Sequence, residues 1–137
     1  MSSLNAYLNF NGNCEEAFAF YAKTFGTKIL FSLPYGQAPA GGQIPPGFEK
    51  KLMHTRIQVG STLLMGSDAP PDRFQKPQGM SVNVNCDTPA EADRIFSALS
   101  SGGQTIMPIQ ETFWAHRFGM TIDKFGISWL VNCEKPM

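Results

Sequence analysis

The sequence predicts an α+β fold made of two βαβββ modules in one chain, and three observations carry that expectation. Leu8 and Phe10 alternate with Tyr7, Asn9 and Asn11 just ahead of a helical pattern, and Val82 and Val84 alternate with Ser81, Asn83 and Asn85 ahead of another. The segments Leu-Asn-Phe-Asn and Val-Asn-Val-Asn stand about 74 residues apart, which marks an internal repeat. After each helical pattern, one extended run and then a pair of strands follow, so each half reads strand, helix, strand, strand, strand.

The first helix is expected from Asn13, a candidate N-cap with Glu16 three residues on, to Phe25. Ala17, Phe18, Tyr21 and Phe25 fall on one face, and Gly26 stops the helix. The second is signalled more fully. Thr88 is the cap, Pro89 the first helical residue and Glu91 the capping-box partner. Ala92, Ile95, Phe96 and Leu99 then recur at i, i+3, i+4 and i+7 before Gly102-Gly103. Extended runs are expected at 27–32 and 104–109, and strand pairs at 55–59 with 61–65 and at 118–122 with 127–132. Gly60 and Asp123-Lys124-Phe125-Gly126 supply the turns. Seven of the ten prolines lie between Pro34 and Pro77, and 8 of the 14 residues from Pro34 to Gly47 are Gly or Pro. That stretch is too rich in breakers for regular structure and is expected to be a loop, either a lid, an arm or an unstructured excursion. The modules are expected at about 4–68 and 78–134, with a linker at about 69–77.

The chain has 137 residues, 11 basic and 11 acidic side chains and 42% hydrophobic residues. A balance of zero with no basic stripe argues against a nucleic-acid partner. Eleven phenylalanines among its aromatics argue against disorder. No run approaches the ~20 apolar residues that span a bilayer, and the start of the chain has no signal-like core, so a cytoplasmic protein is expected. Cys14, Cys86 and Cys133 are odd in number and form no C-x-x-C pair, as expected of buried thiols.

Alternation assigns Leu8, Phe10, Thr55, Ile57, Val59, Val82 and Val84 to the helix-covered face of the sheets. The opposite face then carries Tyr7, Asn9, Asn11, His54, Arg56, Gln58, Ser81, Asn83 and Asn85. Amides, a phenol, an imidazole and a guanidinium suit the lining of a semi-enclosed polar cavity better than an open face, where Lys and Glu would dominate. An ordinary solvated sheet face is the alternative.

Several stretches resemble the vicinal oxygen chelate superfamily, which includes glyoxalase I and the bleomycin-resistance proteins. They are the paired modules, Tyr7-Leu8-Asn9-Phe10-Asn11-Gly12-Asn13, Phe20-Tyr21 and Phe25-Gly26. His54-Thr55-Arg56-Ile57, Met65-Gly66-Ser67-Asp68-Ala69, Gln110-Glu111-Thr112-Phe113-Trp114-Ala115-His116 and Asp123-Lys124-Phe125-Gly126 are similar to its PhnB-like branch. The resemblance implies that each module curls into half a barrel, that two halves enclose a cavity, and that two chains pair as a homodimer. It also implies a divalent metal on His, Glu or Gln of the first, fourth, fifth and eighth strands. Those positions fall near Tyr7, Leu64 or Met65, Ser81 and Leu130, which make no such set, so no metal ligands are assigned. The cofactor stays unspecified. A metal would need displaced ligands drawn from His54, His116, Glu111 or Asp68. Relatives of this branch are sometimes named as ubiquinone-biosynthesis methyltransferases, but the chain has no glycine-rich strand-to-helix turn of the kind that holds such cofactors.

Candidate acid or base residues are His116 and His54, which the repeat could bring together because His54 aligns with Arg117, beside His116. Candidate ligand-binding residues are Tyr7, Asn9, Arg56, Ser81, Asn83, Glu111, Phe113 and Trp114, with Arg56 or Arg117 as the partner of an anion. Phe113 and Trp114 could instead be core residues. The expected function is binding of a small anionic or aromatic molecule. The alternative is a metal-dependent lyase or dioxygenase of the glyoxalase type with displaced ligands, or metal-free acid/base catalysis.

Overall fold

The computed structural model describes residues 2–38 and 44–136 and divides into two compact units, Met1–Gln75 and Lys76–Met137. In the first, strand β1 (Ala6–Phe10) leads through helix α1 (Cys14–Phe25) to β2 (Ile29–Pro34), β3 (Leu52–Val59) and β4 (Thr62–Asp68). The sheet order is β1-β4-β3-β2, with β1 parallel to β4 and the other pairs antiparallel. The second unit repeats this plan. Strand β5 (Val82–Asn85), helix α2 (Pro89–Ser100), β6 (Gln104–Gln110), β7 (Ala115–Ile122) and β8 (Ser128–Glu134) form a sheet of order β5-β8-β7-β6.

Each helix covers one face of its own sheet. In the first unit Cys14, Ala17, Phe18 and Tyr21 are fully buried, and the rings of Phe10, Phe18 and Tyr21 meet at 5.5–6.4 Å between centroids. Contact is close because β4 offers Gly66 beneath the helix, where a methyl group would stand 2.5 Å from the Phe18 ring. Gly119 on β7 plays the same part under Phe96 of α2. Along α2, Ala92, Ile95, Phe96 and Leu99 are buried, as their spacing requires.

The helix starts differ. Thr88 Oγ1 accepts the Glu91 amide at 3.1 Å, so α2 is capped as its sequence implies. Asn13 makes no side-chain cap bond. The cap of α1 is instead Asp68, at the far end of β4, whose Oδ1 accepts the amides of Gly12 and Cys14 and whose Oδ2 accepts that of Leu52, each at 2.9 Å. One buried carboxylate therefore ties the first turn of α1 to the start of β3.

Several boundaries shift from the sequence expectation. β2 lies two residues later than 27–32, β3 starts at Leu52 rather than 55, and β7 starts at Ala115 rather than 118. Pro34 closes β2, and a single 3-10 turn, Tyr35–Gln37, follows where no regular structure was expected. Tyr35 anchors it by donating its hydroxyl to the Asp68 carbonyl at 2.8 Å. The rest of the Gly/Pro segment at 39–43, and with it the expected arm or lid, lies outside the described residues. Among the described residues, no helix is long and apolar enough to cross a membrane.

Candidate functional site

The open face of the first sheet gathers its polar groups by register. Tyr7 pairs with Met65, Met65 with Arg56, and Arg56 with Phe31, so one residue from each strand stands in a row across the sheet. His54 lies two residues from Arg56 on β3 and so shares its face, while the intervening Thr55 and the next residue, Ile57, are fully buried beneath. Tyr7 Oη lies 3.1 Å from His54 Nδ1, with ring centroids at 5.6 Å. Phe31 flanks the imidazole from the other side at 6.1 Å, and the Arg56 guanidinium sits 5.5 Å above the Phe31 ring.

The electrostatics follow from that packing. Partial burial, and then the Arg56 charge, hold the His54 imidazole below the usual histidine range. The ring is therefore neutral near pH 7. A phenol is the natural donor to Nδ1 of a neutral imidazole, which leaves the ring proton on Nε2. Among the described residues Arg56 has no carboxylate partner, so its charge is left to act on whatever occupies the face. Asn9, in register with Ser67, lies exposed at the next position along β1 on this face.

In the second unit the open face carries two rows. Asn85, Asn132, Phe118 and Gln110 are paired in one, and Asn83, Leu130, Met120 and Met107 in the other. Asn83 donates its side-chain amide to Asn85 Oδ1 at 3.1 Å, and Ser81 shares a 2.7 Å hydroxyl contact with Ser128. Glu111 follows β6 and pairs with Lys135 at 2.9 Å. That bond and charge hold its carboxyl below the usual range. Phe113, Trp114 and Phe118 form an edge-on chain with centroids at 4.9 and 5.3 Å. His116 is half-buried on β7 and lends part of the positive field felt by Glu111.

Several expectations are corrected. Phe113 is 90% exposed and Trp114 43%, so these rings are surface groups and the core-packing alternative fails. Arg117 turns toward the helix of its own unit. Its Nε donates to Asp93 Oδ1 of α2 at 3.0 Å, on the helix-covered side, which removes it as an anion partner. The register of β7 against β8 shifts between Ala115 and Arg117, and such a slip exchanges the two faces of a strand. Asp68 is withdrawn as a displaced metal ligand, since three backbone amides occupy its carboxylate. Phe31 and Asn132 are site-facing residues that sequence reasoning missed. Ile29-Leu30-Phe31 reads as an apolar core strand, and only its edge position exposes it.

The metal implied by the resemblance does not fit these residues. Tyr7 and Met65 stand opposite each other on β1 and β4, Leu130 lies on β8, and Ser81, just ahead of β5, shares its hydroxyl with Ser128; a phenol, a thioether, an alkyl group and a hydroxyl are poor donors for a divalent ion. Among the described residues, no three His, Cys, Asp or Glu side chains come together.

Comparison with known proteins agrees with this architecture. The chain is 34% identical to Protein YjdN of Escherichia coli (strain K12), over 96% of this chain and 95% of the relative. It is 42% identical to protein PA1353 of Pseudomonas aeruginosa, whose crystal structure matches with a TM-score of 0.89 over 99% of this chain and all of that one. The Bacillus cereus PhnB protein, described as a putative 3-demethylubiquinone-9 3-methyltransferase, matches at 28% identity and a TM-score of 0.79, over 96% and 99% of the two chains. A family model described as 3-demethylubiquinone-9 3-methyltransferase matches residues 2–132. With its two βαβββ modules, the chain belongs to that family, the PhnB-like branch of the vicinal oxygen chelate superfamily.

Proposed function

We propose that the protein binds a small molecule with an anionic group and a flat apolar body on the open face of the first sheet. The observation that carries this reading is Arg56, half-buried over Phe31 and without a carboxylate partner among the described residues, beside the Tyr7–His54 pair. A guanidinium offers paired N–H donors to a carboxylate or phosphonate, and the rings of Phe31 and Tyr7 offer apolar surface beside it. The test is calorimetric titration with phenylphosphonate. Saturable binding, weakened about tenfold or more in Arg56→Ala, is expected from losing one charge-assisted contact. Equal affinity in wild type and variant would overturn the assignment.

A second reading is acid/base catalysis at His54. The Tyr7 contact favours it by orienting the ring, while partial burial and the Arg56 charge disfavour the protonated form. The metal-dependent lyase or dioxygenase is a further alternative, and stoichiometric metal in purified protein would favour it over simple binding. Methyl transfer, which the family description names, ranks below both. The start of α1, where a cofactor phosphate or carboxylate could bind, is occupied by the Asp68 carboxylate, and the sequence between β5 and α2 has no glycine. His116, Glu111, Phe113 and Trp114 are retained as a second candidate cluster, with Ser81 and Asn83 on the neighbouring face. We also propose that the protein is a cytoplasmic homodimer whose modules, at about 4–68 and 78–134, act as one domain. Sedimentation as a monomer at micromolar concentration would contradict the dimer.

A further inference from the structure

We infer that Asn132, with Asn85 and Asn83, forms a hydrogen-bonding subsite on the second sheet for an uncharged polar group such as a carboxamide or hydroxyl. Asn132 is 7% exposed, and its Oδ1 is a buried acceptor that meets no donor among the described residues. Such an atom costs folding free energy, so its retention calls for a reason. Its own Nδ2 donates to Asn85 Oδ1 at 3.2 Å, and Asn83 Nδ2 donates to the same oxygen at 3.1 Å. The three amides are thereby fixed in orientation. With its oxygen doubly engaged, Asn85 keeps its own amide donors, and Asn132 keeps its acceptor. A carboxamide or hydroxyl, which both donates and accepts, satisfies the two together.

The surroundings select against an anion, since Glu134, two residues beyond Asn132 on the same face of β8, is the nearest charge along that strand. The two rows of this face, Asn85-Asn132-Phe118-Gln110 and Asn83-Leu130-Met120-Met107, contain no ionisable side chain. Phe118, directly opposite Asn132, supplies an apolar ring beside the amides. Asn132 lies between the buried Val131 and Cys133, which face the helix, so strand alternation turns its side chain to the open face.

Benzamide is the probe, with benzoate as its charged counterpart. The full chain, labelled with nitrogen-15, is titrated while the side-chain amide signals of Asn83, Asn85 and Asn132 are followed. Saturable shifts at Asn85 and Asn132 are expected with benzamide, weaker binding with benzoate, and a roughly tenfold loss of benzamide affinity in Asn132→Leu. Unsaturable shifts, equal or tighter binding of benzoate, or unchanged affinity in Asn132→Leu would overturn the inference. Should Asn132→Leu fail to fold, Asn85→Ala at an exposed position removes the oxygen that orients Asn132. The same weakening is then expected, and unchanged affinity counts equally against the subsite. The probe has no charge for Arg56 to bind, so a failure of the phenylphosphonate test leaves this one standing, and the converse also holds.

Discussion

His54 illustrates how much of the chemistry is decided by neighbours. An imidazole on an open sheet face would titrate near its ordinary value. Here partial burial and the Arg56 charge both disfavour the proton, and the folded-state value falls below 6.5. Proton linkage then fixes a sign. The unfolded chain binds the proton more readily than the folded one, so this residue lowers stability as pH falls through the ordinary histidine range toward the depressed value. Arg56→Ala removes one of the two causes and is expected to move the His54 titration upward, as followed by the ring proton signals in NMR. A shift downward, or none, would show that Arg56 does not govern the imidazole. The thiols follow the same logic with opposite direction. Burial and the nearby Glu91 carboxylate push Cys86 up to about 11, and burial with Asp68 pushes Cys14 up as well, so both remain protonated and unreactive near neutral pH.

At the scale of elements, the two helices test how local and distant capping compare. Thr88 caps α2 from its own sequence neighbourhood, so Thr88→Ala is expected to cost about 1 kcal/mol. Asp68 serves α1 and β3 together, and Asp68→Ala strands three amides, two of them in buried bonds, at an expected cost of about 3 kcal/mol or more. Urea unfolding of the two variants measures the difference, and equal losses would contradict the role given to Asp68. The contrast also explains what could be read in advance. Thr88, Pro89 and the spacing of Ala92 to Leu99 are local signals, and they located α2 correctly. The cap of α1 comes from a residue more than fifty positions away, which no local pattern reveals, and Asn13 offered a plausible but unused substitute. The register shift between Ala115 and Arg117 likewise carries no turn residue to announce it, and the pairing of Arg117 with Asp93 of α2 was not foreseen.

For the whole molecule, the charge balance acquires a physical meaning. Only 16% of residues are charged, and several of those charges are already committed: Arg117 to Asp93, Lys135 to Glu111, and Asp68 to backbone amides. Arg56 stands apart from them. The repeat and the module order were legible in the sequence because hydrophobic alternation and a helical pattern recur in both halves, and the superfamily through the resemblance of stretches such as His54-Thr55-Arg56-Ile57 and Asp123-Lys124-Phe125-Gly126. The site was legible only in part. Tyr7, His54 and Arg56 could be put on one face by alternation, but the row that joins Tyr7, Met65, Arg56 and Phe31 depends on strand register across four strands. The most direct test is to map phenylphosphonate on the labelled protein by NMR, following the Arg56 side-chain Nε–H, the His54 ring and the Tyr7 ring. Saturable shifts are expected at all three, with the His54 titration rising because the bound anion offsets the Arg56 charge. Saturable shifts confined to other residues, with His54 titrating as in the free protein, would contradict the assignment.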